Sequence, residues 1–571
     1  LEVARVGSGC LYLRISKTLT TTLDLNDVLN SLPTAKDAPF NAYQRQHDPT
    51  CLPETRVNLL EETYNWVEGK NSPSIFWLNG LAGTGKSTVA RTLVDKYSQK
   101  TNSVVASFFF SRNGGEGGHL RHARRFVTSI AVQLAHNVQP LKQLICDAIS
   151  AHSDIADQAL REQWRYLILD PLLKLGGDNG VHRCILVVDA LDECEDENDI
   201  RTLLRLLAET RSVAGPQLRI FLTSRPEIPI RNAFIEMPNT EHQDFILHRI
   251  SLSIVNNDIL LFLQHELKLI ACKYGLDTSW PGKQMIEQLV EGANGLFILA
   301  ATACRFIDEG KIFAADRLSI ILKSGSTNDS IDGFSSNDSS TDDRIDDPAL
   351  APEQHLDKLY ITVLRNSIDK YRKPERKKRR KLLATTVGTI AVLSSPLSSQ
   401  SLGRLLDTLK SNIDQTLNDL HAILDIPKDA NQPLRLHHPS FRDFLLDKNR
   451  CEGLHFVIKE RQVHQTLATS CLRLMSSSLK QDICGVEQPG VLVIDVNEDL
   501  IQQHIPLELQ YACLHWVQHL QKSRTQLEEG DQVHQFLKKH LLHWLEALGW
   551  IGKVPEGVHA IVSLESMTVV S

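Results

Sequence analysis

The sequence predicts an α/β domain, a parallel sheet with helices on both faces, followed by an all-α helical domain, a winged-helix domain and a C-terminal helical region. Three observations predict it. Four short apolar runs rich in β-branched and aromatic residues, Ile75 to Asn79, Val104 to Phe110, Cys184 to Val188 and Leu218 to Thr223, alternate with helical segments such as Phe126 to His136 and Ile200 to Glu209. Strands apolar along their whole length belong to a sheet buried on both sides. A glycine-rich turn joins the first of these runs to a helix. Beyond about Met237 strand signals fade and 3.6-residue periodicity takes over. At 571 residues, the chain exceeds what one hydrophobic core supports, so several domains are expected.

Residues 1–45 form a lead-in of mixed periodicity, too small for its own core and read as a linker or docking helix. Residues 46–236 carry the α/β pattern and residues 237–323 the first helical domain, with Ile259 to Leu267 and Met285 to Val290 at helical spacing. Residues 324–349 are poor in apolar side chains and rich in Ser, Asp and Asn; such a stretch cannot offset its ordering entropy and is expected to be a disordered loop. Residues 350–455 combine helices around Leu356 to Ile368, Leu382 to Val392, Leu402 to Leu409 and Ile413 to Leu424 with a short strand near Pro433, which suggests a winged helix. Residues 456–571 read as helical, their tryptophans as core.

The chemistry concentrates in Asn79-Gly80-Leu-Ala-Gly83-Thr84-Gly85-Lys86-Ser87-Thr88, which satisfies the spacing G-x-x-x-x-G-K-[ST] between strand and helix. Glycines let the backbone turn its N–H groups inward around phosphates. Lys86 supplies a cation for the β/γ-phosphates, and the Ser87 hydroxyl is placed to ligate Mg²⁺. A second apolar strand ends in Asp189-Ala190-Leu191-Asp192-Glu193, an acidic cluster at the C-terminal edge of a strand, where open α/β sheets bind ligands. Asp189 is the expected magnesium carboxylate. Of Asp192 and Glu193, the longer Glu193 is the preferred base for an attacking water. A third strand ends in Thr223-Ser224-Arg225, polar residues positioned to sense a γ-phosphate, the arginine through a charge-assisted contact.

These motifs together resemble the NACHT class of signal-transduction (STAND) NTPases, and within it the fungal NLR-like proteins related to heterokaryon-incompatibility factors. Ala190 directly after the magnesium aspartate looks like the NACHT form of Walker B. Phe221-Leu-Thr-Ser-Arg-Pro resembles the sensor segment. Ala293 to Ala300 resembles the helical-domain motif, although Phe297 stands where many relatives have a proline. Ser394-Ser-Pro-Leu-Ser398 resembles the start of the family's winged helix, and His438-Pro-Ser-Phe-Arg-Asp-Phe its closing motif. The resemblance implies nucleotide contacts from Gly80, Gly83, Thr84, Gly85, Lys86, Ser87, Thr88, Arg225 and His438, with catalysis by Glu193, Asp192 and Lys86 and metal ligation by Ser87 and Asp189. It further implies ATP and ADP with Mg²⁺, GTP being open although an N-K-x-D guanine motif is absent. A diphosphate touched by His438 would hold the domains closed, exchange for triphosphate would open an oligomerising surface, and slow hydrolysis would reset the switch. A nucleotide-bound interaction scaffold without turnover is the alternative.

A net charge of −7 gives no global attraction to nucleic acid or anionic membrane. The basic run Arg372 to Lys381 reads as a solvated helix start. Gly114 to Gly118 lacks a following Lys-Ser/Thr and is a loop, not a second phosphate site. Eleven scattered cysteines without metal-like spacing fit a cytoplasmic protein. No membrane span and no internal repeat are found. Because the chain begins at Leu1, it is expected to be part of a longer protein.

Overall fold

The computed structural model describes residues 25–112, 114–175, 183–209, 217–238, 240–277, 279–326, 351–451, 458–487 and 491–567. The chain divides into two compact units, Leu1–Asp258 and Ile259–Ser571.

The first unit is built on five parallel strands, β1 (Ile75–Asn79), β2 (Ser103–Phe109), β3 (Arg183–Asp189), β4 (Gln217–Ser224) and β5 (His242–Ile246), in the spatial order β2-β3-β4-β1-β5. Successive side chains of a strand point to opposite faces. Ile75 and Trp77 therefore enter one core, with Phe108, Phe126, Leu186, Val188 and Leu222, while Phe76 and Leu78 enter the other, with Val89, Leu93, Phe109, Val187 and Phe221. Both faces are buried, which is why these strands read as continuous apolar runs. Phe76 and Phe221 stack at 5.5 Å between centroids across the β1–β4 pair.

Two expectations are corrected here. Strand β5 lies beyond Met237, where the sequence was expected to turn wholly helical, and pairs in parallel with β1, with His242 opposite Ile75. Its half-exposed, polar composition, His-Gln-Asp-Phe-Ile, is that of an edge strand, so the apolar signal that marks the central strands is missing. Of the lead-in, the described residues 25–45 pack onto the domain, with Leu29, Leu32, Ala35 and Ala38 buried in the sheet core, which fits the docking alternative and not the linker. The Ala38 carbonyl accepts from Phe109 N–H at 3.0 Å, covering part of the opposite sheet edge.

The second unit is predominantly helical. Its helices include Lys283–Ala293, Phe297–Glu309, Ala314–Ser326, Ala351–Asp369, Lys373–Val392, Ser399–Leu405, Lys410–Leu417, Pro439–Leu446, Glu460–Ser478, Leu507–Ser523, Gln532–Trp550 and Val554–Met567. Strands β6 (Leu424–Asp425) and β7 (Arg435–Leu436) pair antiparallel, and Ser398 bridges to Pro433 beside them. Trp516 and Trp544 are fully buried, edge to face at 5.5 Å, in the core of the C-terminal helices, and Trp544 Nε1 donates to the Cys513 carbonyl. The basic run opens the helix Lys373–Val392, with Pro374 in its first turn. Of the expected disordered loop, residues 324–326 close the helix Ala314–Ser326, and the rest lies outside the described residues. The described cysteines are free thiols, and among the described residues no helix is long and apolar enough to cross a membrane.

Candidate nucleotide site

The glycine-rich turn leaves β1 and enters the helix Lys86–Ser98 at the C-terminal edge of the sheet. Gly83 and Gly85 take φ of 76° and 91°, where a Cβ would be strained. Gly80 is required for a different reason: a Cβ there would stand 2.9 Å from Leu247 Cβ and 3.0 Å from Thr84 Oγ1. The loop is closed on itself, with Thr84 Oγ1 donating to the Leu81 carbonyl at 2.9 Å. Lys86 Nζ donates to the carbonyls of Gly80 and Leu81 at 2.8 and 2.9 Å. Loss of hydration lowers its pKa to about 8, with Asp192 opposing the shift and Arg225 adding to it.

Asp189 ends β3 in a buried position, and burial raises its pKa. Hydrogen bonds from Thr223 and Ser87 act the other way. Thr223 Oγ1 donates to Asp189 Oδ1 at 2.6 Å and accepts from Ala190 N–H at 2.9 Å. Ala190 itself has φ 55°, a left-handed conformation costly for a residue with a Cβ. That kink turns the chain abruptly into the turn Leu191–Glu193.

In that turn the two acids part company. Asp192 is buried and accepts from Arg225 N–H at 2.9 Å, with Arg225 Nε 3.3 Å from its other oxygen. Glu193 accepts from Arg112 N–H at 2.9 Å, and burial, followed by the charge of Asp192, raises its pKa to about 7. A carboxyl half-ionised near neutrality is matched to proton abstraction; an acid committed to an arginine is not.

The structure thus gathers Gly80, Gly83, Thr84, Gly85, Lys86, Ser87, Thr88, Asp189, Asp192, Glu193 and Arg225 around the C-terminal ends of β1, β3 and β4. His438 belongs to the second unit, where its Nδ1 accepts from Ser440 N–H at 3.1 Å and caps the helix Pro439–Leu446. Thr223 and Ser224, expected to sense phosphate, are engaged within the fold: Thr223 with Asp189, and Ser224 Oγ accepting from Trp77 Nε1 at 2.8 Å.

Three residues of this neighbourhood went unread in the sequence. Arg56, buried and at φ 55°, donates from Nη2 to the Thr84 carbonyl at 2.9 Å, while its own N–H donates to Asp258 at 3.2 Å. Nothing in the local pattern marks an arginine that supports a loop 28 positions away. Arg112 had a signal: it stands two residues past the apolar run Val104 to Phe110, at the C-terminal edge of the sheet.

The adjacent Ser87 hydroxyl and Asp189 carboxylate are hard oxygen donors of the kind that would hold Mg²⁺.

Residues 55–225 match the family described as Nephrocystin 3, N-terminal. Over 566 residues the chain is 23% identical to the vegetative incompatibility protein HET-E-1 of Podospora anserina, an alignment covering 93% of this chain and 38% of that protein. The chain therefore spans well under half the length of this relative. A stretch of 119 residues is 25% identical to the 2',3'-cyclic-nucleotide 3'-phosphodiesterase of Pongo abelii, covering 20% of this chain and 28% of that one. Among solved structures, a Walker-type ATPase of Pyrococcus abyssi aligns with a TM-score of 0.32 at 14% identity, over 69% of this chain and 97% of that one.

Proposed function

Taking the chain as a NACHT-type P-loop NTPase of the fungal NLR-like, heterokaryon-incompatibility kind, we propose that it is a nucleotide-dependent molecular switch that binds ATP with Mg²⁺ and hydrolyses it slowly. The observation that carries this reading is the convergence of the glycine-rich loop and Lys86, the Ser87–Asp189 pair, and a base-competent Glu193 on one edge of the sheet. The loop amides and Lys86 bind and orient the phosphates. Bound Mg²⁺, held by Ser87 and Asp189, supplies charge neutralisation on the phosphate oxygens. Glu193 takes a proton from water as the water oxygen bonds to the γ-phosphorus; the bridging P–O bond breaks, and ADP leaves with its electron pair.

On the same reading residues 350–455 are a winged-helix domain, supported by the short helices Ser399–Leu405 and Lys410–Leu417 followed by the β6–β7 pair. His438 contacts the diphosphate in the resting state, and exchange for triphosphate frees a surface for protein partners or further copies of the chain. A switch of this kind responds only to ligands that bind its two states unequally. The setting on this reading is fungal non-self recognition or programmed cell death, in keeping with a relative named for vegetative incompatibility, and the place the cytoplasm.

The test is nucleotide extraction from the purified chain, then single-turnover hydrolysis of ATP and GTP beside Lys86→Ala and Glu193→Gln. Bound diphosphate, with slow cleavage lost in Glu193→Gln but binding retained, is the expected result. A parent chain that binds no nucleotide, indistinguishable from both variants, would overturn the reading in favour of a scaffold.

A further inference from the structure

We infer that Arg112 is a positioning residue for this hydrolysis, holding Glu193 in place and fastening it to the segment that follows β4; the inference rests on the proposed function. Arg112 stands three residues beyond the end of β2. It grips two consecutive residues of the acidic turn: its N–H donates to Glu193 Oε2 at 2.9 Å, and Nη2 donates to the Asp192 carbonyl at 3.1 Å. The same Nη2 lies 3.5 Å from Glu227 Oε1, two residues past the Arg225 that holds the Asp192 carboxylate. The turn is therefore clamped between the ends of β2 and β4.

Such a clamp answers a mechanical need. Leu191–Glu193 is one short 3-10 turn entered through a strained alanine, with few bonds of its own, and a base must be held to within about 0.5 Å of its productive position. Arg112 also has an electrostatic effect. The charged groups that act on Glu193 are Asp192, which raises its pKa, and Arg225 and Arg112, which lower it; Lys86 lies within electrostatic reach, and Glu227 lies against Nη2 of Arg112. An arginine that merely packed would be separable from one that sets the ionisation of the base.

The experiment follows single-turnover ATP hydrolysis by the full chain between about pH 5.5 and about pH 9, with ADP affinity measured alongside, for the parent, Arg112→Gln, Arg112→Lys and Glu227→Gln. Arg112→Gln keeps the peptide N–H and removes the charge. Its rate constant is expected to fall by about tenfold and its pH midpoint to move upward by roughly half a unit, with ADP affinity within about twofold of the parent. Arg112→Lys, which keeps the charge without the planar fork, is expected to retain the parent's midpoint at an intermediate rate. Should Arg112→Gln lose ADP binding through misfolding, Glu227→Gln decides: a severalfold slower rate with unchanged ADP affinity supports the clamp, and parental kinetics overturns it. Parental rate and midpoint in Arg112→Gln, with a parent chain that hydrolyses, overturns the role of Arg112 and leaves the switch standing. A parent chain that neither binds nor cleaves ATP overturns both.

Discussion

The Thr223 hydroxyl is shared between two neighbours in sequence, donating to Asp189 Oδ1 at 2.6 Å and accepting from the Ala190 amide at 2.9 Å. One side chain of β4 thus fixes both the carboxylate that ends β3 and the strained residue that follows it. Asp189 is buried, and the bond favours its ionised form against the desolvation that opposes it. Thr223→Val keeps the shape and removes the hydroxyl. It is expected to cost about 1–3 kcal/mol of stability, the range for leaving a buried polar group without its partner. It is also expected to weaken the Mg²⁺ dependence of nucleotide binding. Urea denaturation and an Mg²⁺ titration at fixed nucleotide check the two effects separately.

The pH dependence of turnover follows from Glu193. Its pKa is raised to about 7, and only the ionised form accepts a proton from water. Below about 7 the rate is expected to rise with pH at close to unit slope, and above it to level off. Glu193→Gln is expected to flatten this profile and slow cleavage by on the order of a hundredfold or more. Single-turnover rates across the pH range, in both proteins, decide it; a flat parental profile would remove Glu193 from the role of base.

Arg56 and Asp258 form a buried pair beneath the phosphate loop, Nε to Oδ2 3.9 Å, joined by the Arg56 N–H at 3.2 Å. Arg56→Met strands the Asp258 carboxylate in a dry site and releases the Thr84 carbonyl. The expected cost is about 3 kcal/mol, visible as a lower urea midpoint. The double variant with Asp258→Asn should recover part of that loss, because the uncompensated charge is gone.

His438 can be divided into its structural and nucleotide roles. As a cap it accepts from Ser440 N–H, and Ser440 Oγ lies 2.9 Å from Tyr360 Oη. His438→Ala is expected to lose about 1 kcal/mol of stability, whereas His438→Asn keeps a capping acceptor. If the imidazole also contacts diphosphate, His438→Asn lowers ADP affinity by about tenfold with ATP affinity and melting temperature nearly unchanged, a coupling of the usual allosteric size. Equal affinities for both nucleotides in variant and parent would confine His438 to capping.

The amino-acid sequence by itself determined the central strands, the phosphate loop and the acidic turn. These are local patterns: an apolar run, glycines at fixed spacing, carboxylates after a strand. It did not reveal β5, whose polar edge composition has no apolar period, nor the buried lead-in around Leu29 and Leu32, which finds its core only against residues such as Phe126 and Ile130. Tertiary structure alone decided the surroundings that set the two acids of the turn apart. Asp192 and Glu193 are adjacent and chemically alike, and their difference comes from partners 33 and 81 positions away, Arg225 beside one and the Arg112 amide beside the other. Burial and charge at a site are sums over neighbours in space, and those neighbours are brought together only by the folding of the sheet.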